Sequence, residues 1–172
     1  MDYLSQIYLL STKFVQDYPS STYSELMYKQ GRPYTCLLID THDVYFICVP
    51  FRSSINHKNA FFFKGTERSQ KTKSGLDYSK IVIINNPDYI DSTTAAVVDQ
   101  DEYNEMMTHL PQIVKEAVSY VVTYINHVNG TAPLHPKQVH PKQFSRQYSC
   151  HSQRQYCIAI KVLKKSLFPD SF

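Results

Sequence analysis

The chain has 172 residues, with 18 Lys and Arg against 15 Asp and Glu for a net charge of +3, and 42% of its residues are apolar. That length supports one domain, residues 1–172, with a full core and leaves little room for two. No apolar run approaches the roughly 20 residues that span a bilayer, and Met1-Asp2 opens without a basic-then-apolar leader, so a soluble, cytoplasmic protein without membrane contact is expected.

Residues 5–10 form a short apolar run that reads as a strand, and Ser11 is placed to cap a helix through Tyr18, where Pro19 stops it. The polar residues 20–31, with Tyr23, Tyr28 and Lys29, read as a loop or short helix leading into Arg32-Pro33-Tyr34. Residues 34–40 and 44–51 are rich in β-branched, aromatic and aliphatic side chains, and Thr41-His42-Asp43 joins them as a hairpin turn. A further strand is predicted at 60–64, a mobile basic loop at 69–75, and an apolar strand at 80–85 closed by Asn86-Pro87. Residues 90–98 mix a turn with a short extended piece.

From Asn86 to Glu105 every charge is acidic, which marks a side turned away from any polyanion or simply a solvated surface. A helical piece is expected over 102–109 and the principal helix over 112–128, where Ile113, Val114, Ala117, Val118, Val121, Tyr124, Ile125 and Val128 make an apolar stripe; Pro111 separates or kinks the two. Residues 129–149 read as an ordered loop that repeats His-Pro-Lys-Gln at 135 and 140. Residues 153–167 fit both alternation and a helical face, with helix preferred.

The segment 50–80 carries Arg52, Lys58, Lys64, Arg68, Lys71, Lys73 and Lys80 against Glu67 and Asp77, a local charge of +5 that leaves the rest of the chain at −2. It also holds Phe61-Phe62-Phe63, and the chain as a whole has 14 Tyr and 9 Phe. Positive charge interleaved with rings suits a phosphodiester chain, because ammonium groups hold phosphates and aromatic faces stack on bases. Arg52, Ser53, Asn56 and His57 follow the second hairpin strand, at the rim of a rigid sheet where functional groups are commonly presented. Metal-free RNA cleavage needs activation of the ribose 2′-OH, a cation for the phosphorane and a proton for the leaving 5′-oxygen, and these side chains can supply such groups. The plainer account is that Ser53 and Asn56 cap a turn while Arg52 and Lys58 are surface charges.

Arg32 and Tyr34, with Tyr28 and Lys29 upstream, begin the first hairpin strand. Antiparallel pairing brings them to the end of the second, unless Tyr34 packs in the core and Arg32 pairs with an acid. Only four Gly occur, without a P-loop or a dinucleotide fingerprint, which argues against ATP and NAD chemistry. Cys36 and Cys48 lie in apolar runs, Cys150 and Cys157 near His151, and no zinc spacing emerges. Only Glu67 and Asp77 stand near the basic segment as carboxylate ligands, so no metal and no other cofactor is expected. The Asn129-Gly130-Thr131 sequon is immaterial in a reducing compartment.

The order of segments resembles the ToxN, AbiQ, CptN and TenpN group of bacterial type III toxin-antitoxin ribonucleases. The resemblance spans roughly residues 5–128 and rests on the opening strand and helix, Arg32-Pro33-Tyr34 at the hairpin entry, Pro50-Phe51-Arg52-Ser53-Ser54-Ile55-Asn56-His57-Lys58, and Gly75-Leu76-Asp77-Tyr78-Ser79-Lys80 before an apolar strand. It implies an α+β fold: a compact, strongly twisted antiparallel β-sheet core with flanking helices, similar to the Kid and MazF toxin barrel. It further implies a metal-independent endoribonuclease leaving 2′,3′-cyclic phosphate and 5′-hydroxyl ends. A small RNA antitoxin of pseudoknot repeats would be processed by the toxin and inhibit it, in a closed protein-RNA ring, and phage defence is a usual role.

On this likeness Ser53 matches the family's important serine. Arg52 stands where some ToxN proteins have threonine, and Ile55 where those proteins carry lysine shortly after the serine, so the cationic role passes to Arg52, Lys58 or Arg32. The expected reacting centre is Ser53 and His57, with Arg52 and Arg32 near the phosphate and Asn56 orienting substrate. Tyr28, Lys29, Tyr34, Lys58, Lys64, Lys71, Lys73 and Lys80 would hold RNA. A non-catalytic RNA-binding module would share the basic patch and the rings. A protein-binding antitoxin or phage-defence accessory would use the acidic stretch instead.

Overall fold

The computed structural model describes residues 5–23, 29–39, 45–84, 86–128 and 130–132. It is an α+β structure whose seven antiparallel strands run β4-β5-β3-β2-β1-β7, with β6 also paired to β3. In chain order the elements are β1 (Ser5–Leu10), α1 (Thr12–Asp17), β2 (Tyr34–Ile39), β3 (Tyr45–Arg52), β4 (Ala60–Phe62), α2 (Glu67–Lys71), β5 (Gly75–Asp77), β6 (Val82–Ile84), β7 (Ile90–Asp91), α3 (Gln100–Thr108) and α4 (Leu110–Val128). The predicted hairpin turn at 41–43, the loop at 133–149 and the segment from 150 onward lie outside the described residues.

β3 is the hinge of the architecture. One of its edges pairs with β2 along its length, from Tyr34 opposite Pro50 to Ile39 opposite Tyr45. Its other edge is shared: β6 pairs with Phe46 to Cys48, and β5 with Phe51 and Arg52. Pro50 fits this strand because neighbouring N–H groups point to opposite edges. The Phe51 N–H reaches β2's side, donating to the Pro33 carbonyl at 3.0 Å. The N–H that Pro50 lacks would point to the gap where β6 stops and β5 begins.

The period-2 pattern of β3 divides the core. Ile47, Val49 and Phe51 face one side, where they meet Phe61, Phe63, Leu76, Met106 of α3 and the α4 stripe Ile113, Val114, Ala117, Val118 and Val121. Cys48 faces the other with Leu10, Phe14 of α1, Tyr34, Cys36, Val82 and Ile84. α1 begins as the sequence predicts: the Ser11 hydroxyl accepts from the Phe14 N–H and donates to the Asp88 carbonyl at 2.6 Å, tying the cap to the turn before β7. Pro111 lies in the first turn of α4, where its missing N–H costs nothing, and so separates α3 from α4 without kinking a helix interior.

Several expectations are corrected. The pairings run from β4 to β7 without closing, so the described residues form an open sheet and not the expected barrel. Residues 69–71 of the loop predicted at 69–75 belong to helix α2, started by a capping box between Thr66 and Ser69. The strand predicted from Lys80 begins only at Val82, because Asp77 caps a 3-10 turn over Tyr78–Lys80. The acidic stretch is not turned away from the basic segment: Asp99, Asp101, Glu102 and Glu105 all engage residues 64–68. No helix among the described residues is long and apolar enough to cross a membrane.

Gly75 is set by close approach. It lies between β3 and β4, opposite Arg52 and Phe62, and a Cβ there would stand 2.0 Å from the Phe61 carbonyl oxygen. Backbone cannot yield as a flexible side chain does. Gly75→Ala is expected to lower stability by about 1–3 kcal/mol or more, read as a lower urea midpoint; an unchanged midpoint would show that β4 and β5 separate freely.

Candidate functional site

The site grows from the end of β3. After Arg52 the backbone turns through Ser54 in the left-handed region, φ 56°, and Ile55 then buries its side chain at 1% exposure. The Ile55 N–H donates to the Lys73 carbonyl at 3.0 Å, and the Tyr78 N–H donates to the Asn59 carbonyl at 3.0 Å. The turn over 53–59 is therefore fastened to the chain on either side of β5 while Ser53, Asn56 and Lys58 remain exposed.

Asp77, fully buried at the end of β5, organises the chemistry beneath this turn. Its Oδ2 receives Arg52 Nη1 in a close ion pair. Its Oδ1 accepts the Ser79 N–H at 2.9 Å and the Ser79 hydroxyl at 2.6 Å. His57 Nε2 approaches the same group, 3.4 Å from Asp77 Oδ1 and 3.2 Å from Ser79 Oγ. His57 Nδ1 is buried without a hydrogen-bond partner. From α4, the Tyr120 phenol is pushed up to about 12 by burial and by the negative charge of Asp77.

A serine-nucleophile triad needs the base to receive the serine proton and the carboxylate to hold the opposite ring nitrogen. Here Ser79 is buried and directs its hydrogen to Asp77, and the carboxylate lies on the same ring nitrogen as the hydroxyl. The cluster is instead a buried carboxylate holding one guanidinium and one imidazole at the edge of an exposed turn. Arg52 has five N–H donors and stands at 17% side-chain exposure, suited to an anion at the rim.

Of the sequence-predicted residues, Arg52 and His57 are brought together by Asp77, and Ser53 and Asn56 share their turn. The hairpin ladder carries Arg32 to the end of β3 as predicted, but Tyr34 is 2% exposed. Burial pushes its phenol up to about 12 despite the neighbouring Arg32, and its ring lies in the core beyond the reach of a base. The core-packing alternative for Tyr34 is therefore the one the structure follows, rather than its expected place among the groups that hold RNA. Lys29, Lys58, Lys64 and Lys73 are exposed and Lys80 half-buried. Lys71 pairs with Glu67 at 2.5 Å, one turn away on α2. Tyr28 lies outside the described residues.

Arg68 is clamped by Asp99 at 2.6 Å, with Glu102 at 3.7 Å, while Glu105 accepts the N–H groups of Lys64 and Gly65. Arg68 is thus engaged by acids and Lys71 by Glu67, while Lys58, Lys64 and Lys73 stand exposed. Sequence reasoning met Asp77 in the charge count, as a carboxylate near the basic segment and in the Gly75–Lys80 block, and Ser79 only in that block, and gave neither a role at the site. The signal was Asp-x-Ser between a glycine-bearing strand and an apolar one, the pattern of an Asp that caps its own turn. Among the described residues no group of three His, Cys, Asp or Glu side chains converges as a metal centre. No family model matches the chain, and neither a curated protein nor a solved structure matches it.

Two outcomes follow from these contacts. Asp77→Ala leaves the Arg52 charge and the Ser79 donors unpaired and is expected to cost about 3–5 kcal/mol in urea unfolding; a loss below about 1 kcal/mol would mean the cluster contributes as little as a surface pair. Glu102 of α3 is buried beside Ser74, its Oε1 without a hydrogen bond, and burial holds its carboxyl above the ordinary range. A carboxyl raised in the folded state favours folding below its unfolded value, and this contribution is lost as pH rises through the folded one. Glu102→Gln should therefore match the parent in acid and become the more stable as pH rises to neutrality, followed by thermal melts across pH; a gap that widens toward acid would reverse the sign.

Proposed function

We propose that the chain is a metal-independent endoribonuclease, the toxin of a bacterial type III toxin-antitoxin system, acting in the cytoplasm. The observation that carries this reading is the joint anchoring of Arg52 and His57 on the buried Asp77 carboxylate, directly below the exposed turn with Ser53, Asn56 and Lys58. In such a reaction the ribose 2′-oxygen attacks the adjacent phosphorus and the 5′-oxygen leaves. The products are a 2′,3′-cyclic phosphate and a 5′-hydroxyl. His57 takes part in proton transfer, Arg52 offsets the charge on the phosphorane, and Ser53 and Asn56 hydrogen-bond the substrate. Lys58 and Lys73 hold flanking phosphates. The RNA antitoxin of pseudoknot repeats, the closed ring and a role in phage defence belong to this reading through the family resemblance.

A non-catalytic RNA-binding module is the second reading, favoured by the burial of His57 Nδ1 and the engagement of Nε2 by Asp77 and Ser79. Purified protein incubated with RNA in EDTA separates the two. Discrete cleavage with cyclic phosphate and 5′-hydroxyl ends is expected, and His57→Ala should lower the rate by about 10²-fold or more while the variant stays folded. RNA that is bound but intact would move the assignment to the binding module.

The salt dependence of RNA affinity tests the cationic rim. If Lys58 and Lys73 each neutralise a phosphate on a single strand, their double alanine variant should lower the slope of log affinity against log salt by roughly 1.4. An unchanged slope would remove both from the interface.

A further inference from the structure

The hydrogen inventory around Asp77 specifies more than proximity. The carboxylate paired with Arg52 brings no hydrogen, so the 2.6 Å contact between Ser79 Oγ and Asp77 Oδ1 must use the single hydroxyl hydrogen of Ser79. Ser79 Oγ can then only accept from the imidazole 3.2 Å away. Asp77 Oδ1, 3.4 Å from the same nitrogen, also only accepts. Two acceptors facing one ring nitrogen require a proton on it, and a neutral imidazole then keeps its lone pair on the other.

We infer that Asp77 and Ser79 are positioning residues that hold His57 as the Nε2–H tautomer and leave Nδ1 as the nitrogen through which the ring accepts a proton. This inference rests on the ribonuclease reading for its catalytic consequence, but the tautomer follows from the contacts alone. Nδ1, buried and unpartnered in the free protein, is an unsatisfied acceptor, and a hydroxyl delivered to it removes that cost. The functional end of His57 is thus the one facing away from the carboxylate.

The test is nitrogen-15 NMR of the full chain, with the His57 signals assigned by their loss in His57→Asn. With the ring neutral, wild type should show a protonated Nε2, an unprotonated Nδ1 and no averaging between tautomers. Ser79→Ala keeps the backbone cap on Asp77 and is the variant expected to fold; it leaves only the longer 3.4 Å contact of Asp77 Oδ1 on Nε2, so it should admit the other tautomer in part and lower kcat by roughly 10–100-fold, the usual cost of losing an outer partner of a functional histidine, with KM unchanged. Ser79→Thr, which keeps the hydroxyl, should restore both. A protonated Nδ1 in wild type, or a Ser79→Ala spectrum and kcat equal to wild type, would overturn the inference. If wild type cleaves no RNA, the function falls while the spectra still decide the positioning.

Discussion

The buried charge of Asp77 is the constraint on which the rest of this structure depends. An ionised carboxylate taken out of water loses several kcal/mol even after relaxation, and it persists only where donors surround it. Here the donors come from separate parts of the chain: Arg52 from the end of β3, the amide and hydroxyl of Ser79 from the turn after β5, and His57 from the loop between them. Meeting the needs of one carboxylate therefore closes the loop over 53–59 onto the sheet. The same geometry depends on Gly75, because only a residue without a Cβ lets β5 lie so close to Phe61 while Asp77 is carried into the interior.

This arrangement explains why the basic segment is not a uniformly positive surface. α3 contains the end of the acidic stretch, and the residue before it and its first two turns present carboxylates to the chain at 64–68, where Glu105 receives two backbone N–H groups and Asp99 takes Arg68. Those acids fasten the link between β4 and α2 to the helical layer. The Arg68 charge so used is unavailable to a polyanion; of the cations left exposed, Lys58 lies in the 53–59 turn and Lys73 adjoins it through its carbonyl, while Lys64 is exposed as well.

Much of the fold was legible because local signals and burial agree. The strand at 5–10, the Ser11 cap, the hairpin of β2 and β3 and the stripe of α4 each combine a period with a boundary residue, and the structure follows them to within a residue or two. What was not legible depended on distant contacts. Nothing local says that the acids at 99–105 fold back onto 64–68, or that residues 67–71 prefer a helix once Thr66 is buried as its cap. Tyr34 illustrates the same limit at the site: strand pairing placed it opposite the end of β3 with core packing as the alternative, and the packing of Phe14, Leu10 and Val82 around it makes it core. Asp77 was visible as a charge and invisible as an anchor, because burial of a polar residue is decided by partners far away in the chain.

The rigidity of the 53–59 turn bears on how its groups can act. Ile55 is locked in the core and its N–H is bound to Lys73, while Ser54 holds a left-handed backbone that a non-glycine residue keeps only when its surroundings enforce it. Ser53 and Asn56 flank these fixed points, so the backbone positions from which their exposed side chains project are set by the fold. His57 is held differently, by hydrogen bonds to a hydroxyl and a carboxylate rather than by packing, and its side chain remains 29% exposed. The exposed hydroxyl and amide of Ser53 and Asn56 thus stand on a backbone fixed by Ser54 and Ile55, beside an imidazole fastened at one nitrogen.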